Sequence, residues 1–99
     1  MIVEVAQIEV KPGLEAEFER GVAAAVPFFR AAKGCHGLEL VRSIEHPQRY
    51  RLLVTWETVE NHTVDFRGSA GWQEWRKLVG DCFAGTPAVE HVATAVKGF

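Results

Sequence analysis

The sequence predicts an α+β domain in which two helices cover one face of a four-stranded antiparallel sheet, the ferredoxin-like arrangement. Three observations lead to this prediction. The chain has 99 residues, which is the length of a single domain. Its 47% hydrophobic and 24% charged residues are typical of a globular rather than a disordered protein. Segments with the apolar spacing of strands and of helices follow one another in the order β-α-β-β-α-β, so we expect one domain over residues 1–99.

The first half of the chain predicts a strand, a helix and a hairpin. Residues 2–10 combine Val and Ile with polar residues, which is typical of a strand that is partly covered on both faces. Residues 14–33 carry apolar side chains at steps of three or four and acidic ones near the start, and Gly34 then ends the helix. Residues 38–45 and 50–57 are two more strands, and the short turn between them makes an antiparallel hairpin.

The second half predicts two helical segments and a last strand. Thr58 is a good N-cap for a short helix over residues 59–62. Residues 65–79 predict a longer helix, although its two glycines favour a break. Residues 80–87 are expected to form a loop, and residues 88–96 the final strand.

One face of the predicted sheet is left uncovered. Two helices cover a single face, yet the first and last strands place apolar residues on both of their faces. An exposed apolar face of this kind indicates a partner. A second copy of the chain, related by a two-fold axis, is the economical partner, so we expect a homodimer.

Charge and motif content argue against several classes of function. The formal net charge of -2 and the scattered basic residues argue against nucleic acid or a membrane surface as the main partner. The start of the chain lacks the pattern of a signal peptide, and no apolar run reaches the roughly 18–20 residues of a membrane span. We therefore expect a cytoplasmic protein with free thiols at Cys35 and Cys82. No glycine-rich phosphate loop or metal-ligand motif is present, which favours a site without cofactor or metal, or no enzyme at all.

A set of residues follows a fixed order along the second half of the chain: Trp56-Glu57-Thr58, then Glu60, His62, Phe66, Ser69, Trp72 and Trp75, then Pro87, Glu90 and His91. The earlier residues 34–40 and the pair Arg42-Ser43 fit the same order. Together they resemble the antibiotic biosynthesis monooxygenase domain over essentially the whole chain. The resemblance implies a dimeric α/β barrel with a cavity between sheet and helices in each subunit.

Members of the family that the sequence resembles catalyse several different reactions. The positions at which this sequence departs from them reduce the number of reactions that we expect. Some members oxygenate anthrones or quinols with O₂ and no cofactor, others degrade haem or isomerise a signalling metabolite, and others have no known reaction. The anthrone oxygenases carry an Asn four residues before the strand-three Trp; Trp56 is retained here, but Leu52 replaces the Asn. The haem-degrading members use an Asn in strand one, a Trp in the short helix and a His in the long helix. The nearest positions here hold Gln7, Asp65 or Phe66, and Arg76. The Asn, Trp and His are therefore all absent, which argues against haem degradation.

Two histidines are candidates for chemistry. An imidazole titrates near neutral pH, so His62 is our candidate for the base that takes a proton from the substrate. Asp65, three residues later, is a candidate for orienting its ring, and local solvation is the default alternative. The alternative for His62 is a surface histidine on a helical turn. We also expect His62, as a residue of a short helix, to contribute little to core packing. His91 lies on the last strand, where alternate residues face the helices, and is a candidate for binding a substrate oxygen. Its alternative is a half-buried residue bonded to the backbone.

Aromatic and basic residues predict the walls of the pocket. Four rings, those of Trp56, Phe66, Trp72 and Trp75, are suited to an apolar or aromatic ligand, although packing in a core explains them equally well. The resemblance adds Trp56 to the catalytic candidates. Arg67 and Arg76 could hold a phenolate or carboxylate. Arginines of a long helix more often face solvent, and that is the position we expect for them.

Two functions follow from these residues. The first is a cofactor-independent monooxygenase that uses O₂ on an electron-rich aromatic such as a quinol or anthrone. The second is a non-catalytic domain that binds an apolar metabolite in the same pocket. A base beside a closed cavity, with His62 facing the tryptophans, favours the first; His62 in bulk water favours the second.

Overall fold

A computed structural model describes residues 1–99. The chain forms four strands and two α-helices, joined by two shorter helical segments. In chain order they are β1 (Ile2–Glu9), α1 (Glu15–Arg30), β2 (Cys35–Arg42), β3 (Arg49–Trp56), a π-helix (Asn61–Phe66), α2 (Ala70–Val79), a 3₁₀ turn (Gly80–Cys82) and β4 (Ala88–Val92). No helix has both the length and the apolar character that crossing a membrane requires.

The strands form one antiparallel sheet in the order β2-β3-β1-β4. The predicted α+β, ferredoxin-like architecture is therefore confirmed. The even-numbered residues of β1 and β3 point toward the helices, because side chains alternate along a strand, and all of them except the half-buried Ile2 are buried. The core lies between this sheet face and the helices.

Helix α1 buries Phe18, Val22, Ala25 and Phe29, which recur at the helical spacing that the sequence predicts. It packs against α2 at Gly21. A Cβ atom at Gly21 would lie 2.8 Å from the carbonyl oxygen of Leu78, so a residue without a side chain lets the two helices approach closely.

Three predicted boundaries are wrong. Helix α1 spans 15–30 rather than 14–33 and is capped by Ala31, so Gly34 does not end it; with its φ of +76°, Gly34 instead turns the chain into β2. Strand β2 spans 35–42 rather than 38–45 and leaves Ile44 in the turn, 91% exposed. Strand β4 ends at Val92 rather than at residue 96. Val92 pairs with Val3 near the start of β1, so a longer β4 would run past the end of its only neighbour.

The segment between β3 and α2 follows the prediction in part. Thr58 caps the short helix, as expected: its hydroxyl accepts from the Asn61 backbone N–H, and the Asn61 side chain accepts from the Thr58 N–H. The helix then continues as a π-helix to Phe66. The expected break falls at Ser69, whose hydroxyl accepts from the Trp72 N–H and caps α2.

The second sheet face is not covered by any element of the chain. Val3 and Val5 of β1 point to this face, where Val5 pairs with Leu53 and Val3 with Val92. Val3, Val5 and Leu53 are only half-buried and Val92 is exposed.

Candidate functional site

A cavity of about 620 Å³ lies between the sheet and the helices of the second half of the chain, the π-helix and α2. Its floor comes from β1 and β3, and its walls from the π-helix, α2 and the segment that leads into β4. The residues that line it are Glu4, Ala6, Ile8, Leu52, His62, Arg67, Trp72, Trp75, Arg76, Gly80, Phe83, Ala84, Gly85, Thr86, Pro87 and Val89. Its size is in the range of pockets for small organic ligands.

Glu4, His62 and His91 form a connected polar group at one wall of the cavity. His62 Nε2 lies 3.3 Å from Glu4 Oε1, and His62 Nδ1 lies 2.8 Å from His91 Nε2. The indole N–H of Trp56 donates to the same Glu4 oxygen over 3.0 Å. Glu4 is 5% exposed and His62 only 2%, so water screens these contacts weakly.

The sheet register brings these residues together. Glu4 is the direct partner of His91 in the β1–β4 pairing, so both side chains leave the sheet on the helix side. The capped π-helix starts next to β3 and places the His62 ring on Trp56, with ring centroids 5.6 Å apart and planes 18° apart. One strand pair and one helical turn therefore fix the geometry of the group.

Burial shifts the pKa values of His62 and Glu4 in opposite directions. Burial lowers the pKa of His62 to about 4, and the positive charge of Arg67 and the neighbouring His91 add to this effect. Burial raises the pKa of Glu4 above its usual value of 4.5, while the hydrogen bond from Trp56 and the charge of Arg67 act against that rise. His62 is therefore a neutral imidazole at neutral pH.

A second feature of the cavity is a tryptophan flanked by arginines. Arg67 and Arg76 both lie against the ring of Trp72, with their guanidinium carbons 5.8 and 5.9 Å from its centroid. Neither guanidinium has a carboxylate within ion-pair distance. Both arginines are exposed, so the solvent-facing alternative is confirmed for them, and from that position they also line the cavity and add positive charge to it.

The structure brings together most of the residues that the sequence pointed to. His62, Arg67, Trp72 and Trp75 line the cavity. His91 does not line it but contacts His62.

The other two predicted site residues lie in the core. Trp56 and Phe66 are 0% and 2% exposed and pack beneath the site, with ring centroids 5.5 Å apart. One further expectation is wrong. The His62 side chain is among the most buried in the protein, although the sequence predicts that it contributes little to core packing. Asp65 is exposed and accepts a hydrogen bond from Asn61, so the alternative of local solvation is confirmed for it.

Sequence reasoning missed Glu4. The signal was available in the alternation of β1: Glu4 has the same parity as Ala6, Ile8 and Val10, so it points into the core with them. A carboxylate on a buried strand face requires a partner, and that requirement marks a site. Leu52, which stands where the anthrone oxygenases carry an Asn, also lines the cavity.

No three His, Cys, Asp or Glu side chains converge in a way that could hold a metal ion. Cys35 and Cys82 are both free thiols, as the sequence predicts.

Comparisons with known proteins give consistent matches. A family model described as antibiotic biosynthesis monooxygenase matches residues 1–78. The uncharacterized protein YczJ from Bacillus subtilis (strain 168) is 42% identical over 91 residues, which are 92% of this chain and 96% of YczJ. A crystal structure from Bordetella bronchiseptica, provisionally assigned as an antibiotic biosynthesis monooxygenase, is 62% identical with a TM-score of 0.95 and covers 96% of this chain and 97% of that chain.

A more distant structure shows the same fold. SnoaB, a cofactor-independent oxygenase from Streptomyces nogalater, superposes with a TM-score of 0.81 at 16% identity, over 98% of this chain and 95% of SnoaB.

Proposed function

The chain belongs to the antibiotic biosynthesis monooxygenase family, and from this premise we propose that it is a cofactor-independent monooxygenase that oxidises an electron-rich aromatic with O₂. Quinols and anthrones are the substrate classes that fit this chemistry. The observation that carries the proposal is the buried group of Glu4, His62 and His91 at the wall of a cavity lined by Trp72 and Trp75.

The reaction needs a base and a place for a flat ring. Loss of a proton from an anthrone methylene or a quinol hydroxyl leaves an electron-rich anion, which can transfer an electron to O₂. The two radicals combine into a C–O–O bond, and loss of water leaves a carbonyl. For an anthrone the balance is CH₂ plus O₂ to C=O plus H₂O, so no other reductant enters. The protein has to supply proton transfer and orientation.

The walls of the cavity suit such a ligand. Trp72 and Trp75 offer aromatic surface, and Leu52 and Ile8 offer an apolar floor. Arg67 and Arg76 supply positive charge for a phenolate or enolate, which is the form that reacts with O₂. The oxygenase activity of SnoaB, which has this fold, adds support for the reaction class.

We also propose that the protein acts as a homodimer. The support is the uncovered sheet face, where Val3, Val5 and Leu53 are only half-buried in one chain. The two free thiols support a reducing compartment, the cytoplasm, as its location.

The proposal is tested by O₂ uptake with a panel of quinols and anthrones, in the presence and absence of protein. We expect uptake above the spontaneous rate for at least one compound, with the corresponding quinone as product. Tight binding of these compounds without uptake would contradict the proposal and favour the second candidate, a domain that binds aromatic metabolites without turnover.

A further inference from the structure

We propose that the carboxylate of Glu4 is the catalytic base of the cavity. His62 and Trp56 are positioning residues that hold this carboxylate, and His91 orients His62. The inference rests on the proposed function for the identity of its probe, an anthrone, and assigns the proton-accepting atom within the same site.

The contacts of the His62 ring argue against a direct role for it. Nδ1 is paired with His91 Nε2 at 2.8 Å, and Nε2 faces Glu4 Oε1 at 3.3 Å. A neutral imidazole has one N–H and one lone pair. A carboxylate oxygen next to Nε2 favours the hydrogen on that nitrogen, so the lone pair is on Nδ1 and accepts from His91. In this tautomer His62 has no free lone pair for a ligand proton.

Glu4 has such a free acceptor. Its Oε1 accepts a hydrogen bond from the indole N–H of Trp56 and lies 3.3 Å from His62 Nε2. Its Oε2 makes no hydrogen bond. Every fully buried polar side-chain atom in the protein has a hydrogen-bond partner, so the unbonded Oε2 is an accessible atom. Because Glu4 lines the cavity, Oε2 is the acceptor that a ligand can reach.

The environment gives this carboxylate the basicity that the step needs. A carboxylate that burial removes from water holds a proton more strongly than one in water, and burial raises the pKa of Glu4 in this way. The indole N–H of Trp56 on Oε1 nevertheless stabilises the ionised form, as does the positive charge of Arg67, which also acts on His62. The same positive charge stabilises the ligand anion as it forms.

The proton-transfer step balances within the cavity. The C–H bond of the anthrone methylene breaks, its electron pair stays on carbon, and the proton bonds to Oε2 of Glu4. After O₂ has added, Glu4 returns this proton to the terminal oxygen of the peroxide anion. The second C–H bond and the O–O bond then break: the C–H electron pair forms the carbonyl, and the released proton joins the departing hydroxide as water. Glu4 ends the turnover ionised, and no proton has to leave the protein during a turnover.

Proton abstraction can be measured without oxygenation. Under strictly anaerobic conditions in D₂O, proton NMR follows the loss of the methylene signal of anthrone as deuterium replaces hydrogen. We expect the wild-type protein to accelerate this exchange. Glu4→Gln keeps an oxygen for the Trp56 N–H but removes the base, and should slow the exchange by about 10²-fold or more. His62→Gln keeps an N–H donor toward Glu4 and should slow it by about tenfold or less.

Glu60→Gln is the matched control, since Glu60 is an exposed carboxylate two residues before His62 and lies outside the cavity lining. It should exchange anthrone at the wild-type rate. A folded Glu4→Gln variant that retains wild-type exchange, or a larger loss in His62→Gln than in Glu4→Gln, overturns the inference, as does an absence of exchange with the wild-type protein. Exchange without any O₂ uptake leaves the inference intact and sinks the oxygenase proposal alone.

If Glu4→Gln does not fold, the pH dependence of the exchange rate of the wild-type protein tests the role of Glu4 instead. The titratable and charged groups around Glu4 are His62 from the π-helix, His91 from β4, Arg67 after the π-helix and the Cys35 thiol of β2, whose pKa burial raises and the Glu4 charge raises further. The exchange rate should rise with pH through the pKa of Glu4, above 4.5, because only the carboxylate accepts a proton. Carbon-13 NMR of the labelled Glu4 carboxyl should give the same midpoint. A midpoint of the rate that follows the His62 ring, near pH 4, overturns the inference.

Discussion

The rings of His62 and His91 meet at 2.8 Å between Nδ1 and Nε2, and their centroids lie 5.1 Å apart. This contact joins the π-helix to β4, the shortest strand, whose other residues are exposed. The last strand and the wall of the cavity are therefore held by the same pair of side chains. Loss of either ring should affect both the site and the edge of the sheet.

His62→Ala should reduce the free energy of unfolding by about 2–4 kcal/mol. The ring is 2% exposed, stacks on Trp56 and holds His91, so its removal leaves a hole and two polar groups without their partner. Urea denaturation measures the change. His36→Ala is the matched control, because the His36 side chain is 45% exposed and should change stability little. A His62→Ala protein as stable as the control would contradict the packing described here.

The stability of the fold should fall as the pH falls from 6.5 toward 4. Burial lowers the pKa of His62 to about 4, against 6.5 for a free histidine. Between these values the unfolded chain binds a proton that the folded protein does not, so this group lowers the free energy of unfolding by up to about 3 kcal/mol across that range. The raised pKa of Glu4 acts in the opposite sense above pH 4.5 and reduces the net change.

NMR separates the two groups in this titration. The ring carbon-bound protons of His62 should report a midpoint near pH 4, and urea denaturation at a series of pH values gives the matching change in stability. A His62 midpoint at the free-histidine value would show that the ring is hydrated in solution and would remove the expected acid destabilisation.

The fold could be predicted from the sequence because its signals are local. The alternation of Tyr50, Leu52, Val54 and Trp56 assigns β3 to a single buried face, and that face is confirmed. Strand ends could not be predicted in the same way. β4 stops where its neighbour β1 begins, and that limit is a property of the pairing register rather than of residues 93–96.

The site could be predicted only in part for a similar reason. Trp72, Trp75, Arg67 and His62 stand out by residue type and spacing, and all four line the cavity. Glu4 becomes significant only when residues far away in the sequence are placed beside it, since its contacts are with Trp56 and His62. The sequence next to a polar strand residue does not indicate which distant residue will pair with it in the folded protein.

Replacement of both arginines at the cavity should weaken binding of anionic aromatics selectively. Arg67→Gln and Arg76→Gln each remove a positive charge that lies against Trp72, so the Kd for an aromatic carboxylate or phenolate should rise by about tenfold per substitution. Quenching of tryptophan fluorescence measures the affinity. Arg20→Gln, an exposed arginine of α1 outside the cavity, serves as the control. Equal losses for a neutral aromatic of the same shape would show that the arginines act by packing instead of charge.

A charge at the centre of the uncovered sheet face should dissociate the proposed homodimer. Val5 and Leu53 are register partners there, with Val3 beside them, and none of the three is fully buried in one chain. A stable dimer buries more than about 1,000 Å² in total, and the middle of such an interface is dry. Val5→Lys would place an ammonium group beside Glu90, its register partner on β4, and burying even a paired charge in that dry centre is costly unless the two chains separate.

Sedimentation at micromolar concentrations tests this expectation directly, with the wild-type protein at twice the mass of the 11.0 kDa chain. Val5→Lys should sediment near the mass of a single chain. Ile44→Lys, the same kind of change at a residue that is 91% exposed in the β2–β3 turn, should remain dimeric. The side chain of Val5 points away from the cavity, so the monomeric variant should keep its circular dichroism spectrum. A wild-type protein that sediments as a monomer across this range would show that the apolar face stays open to solvent.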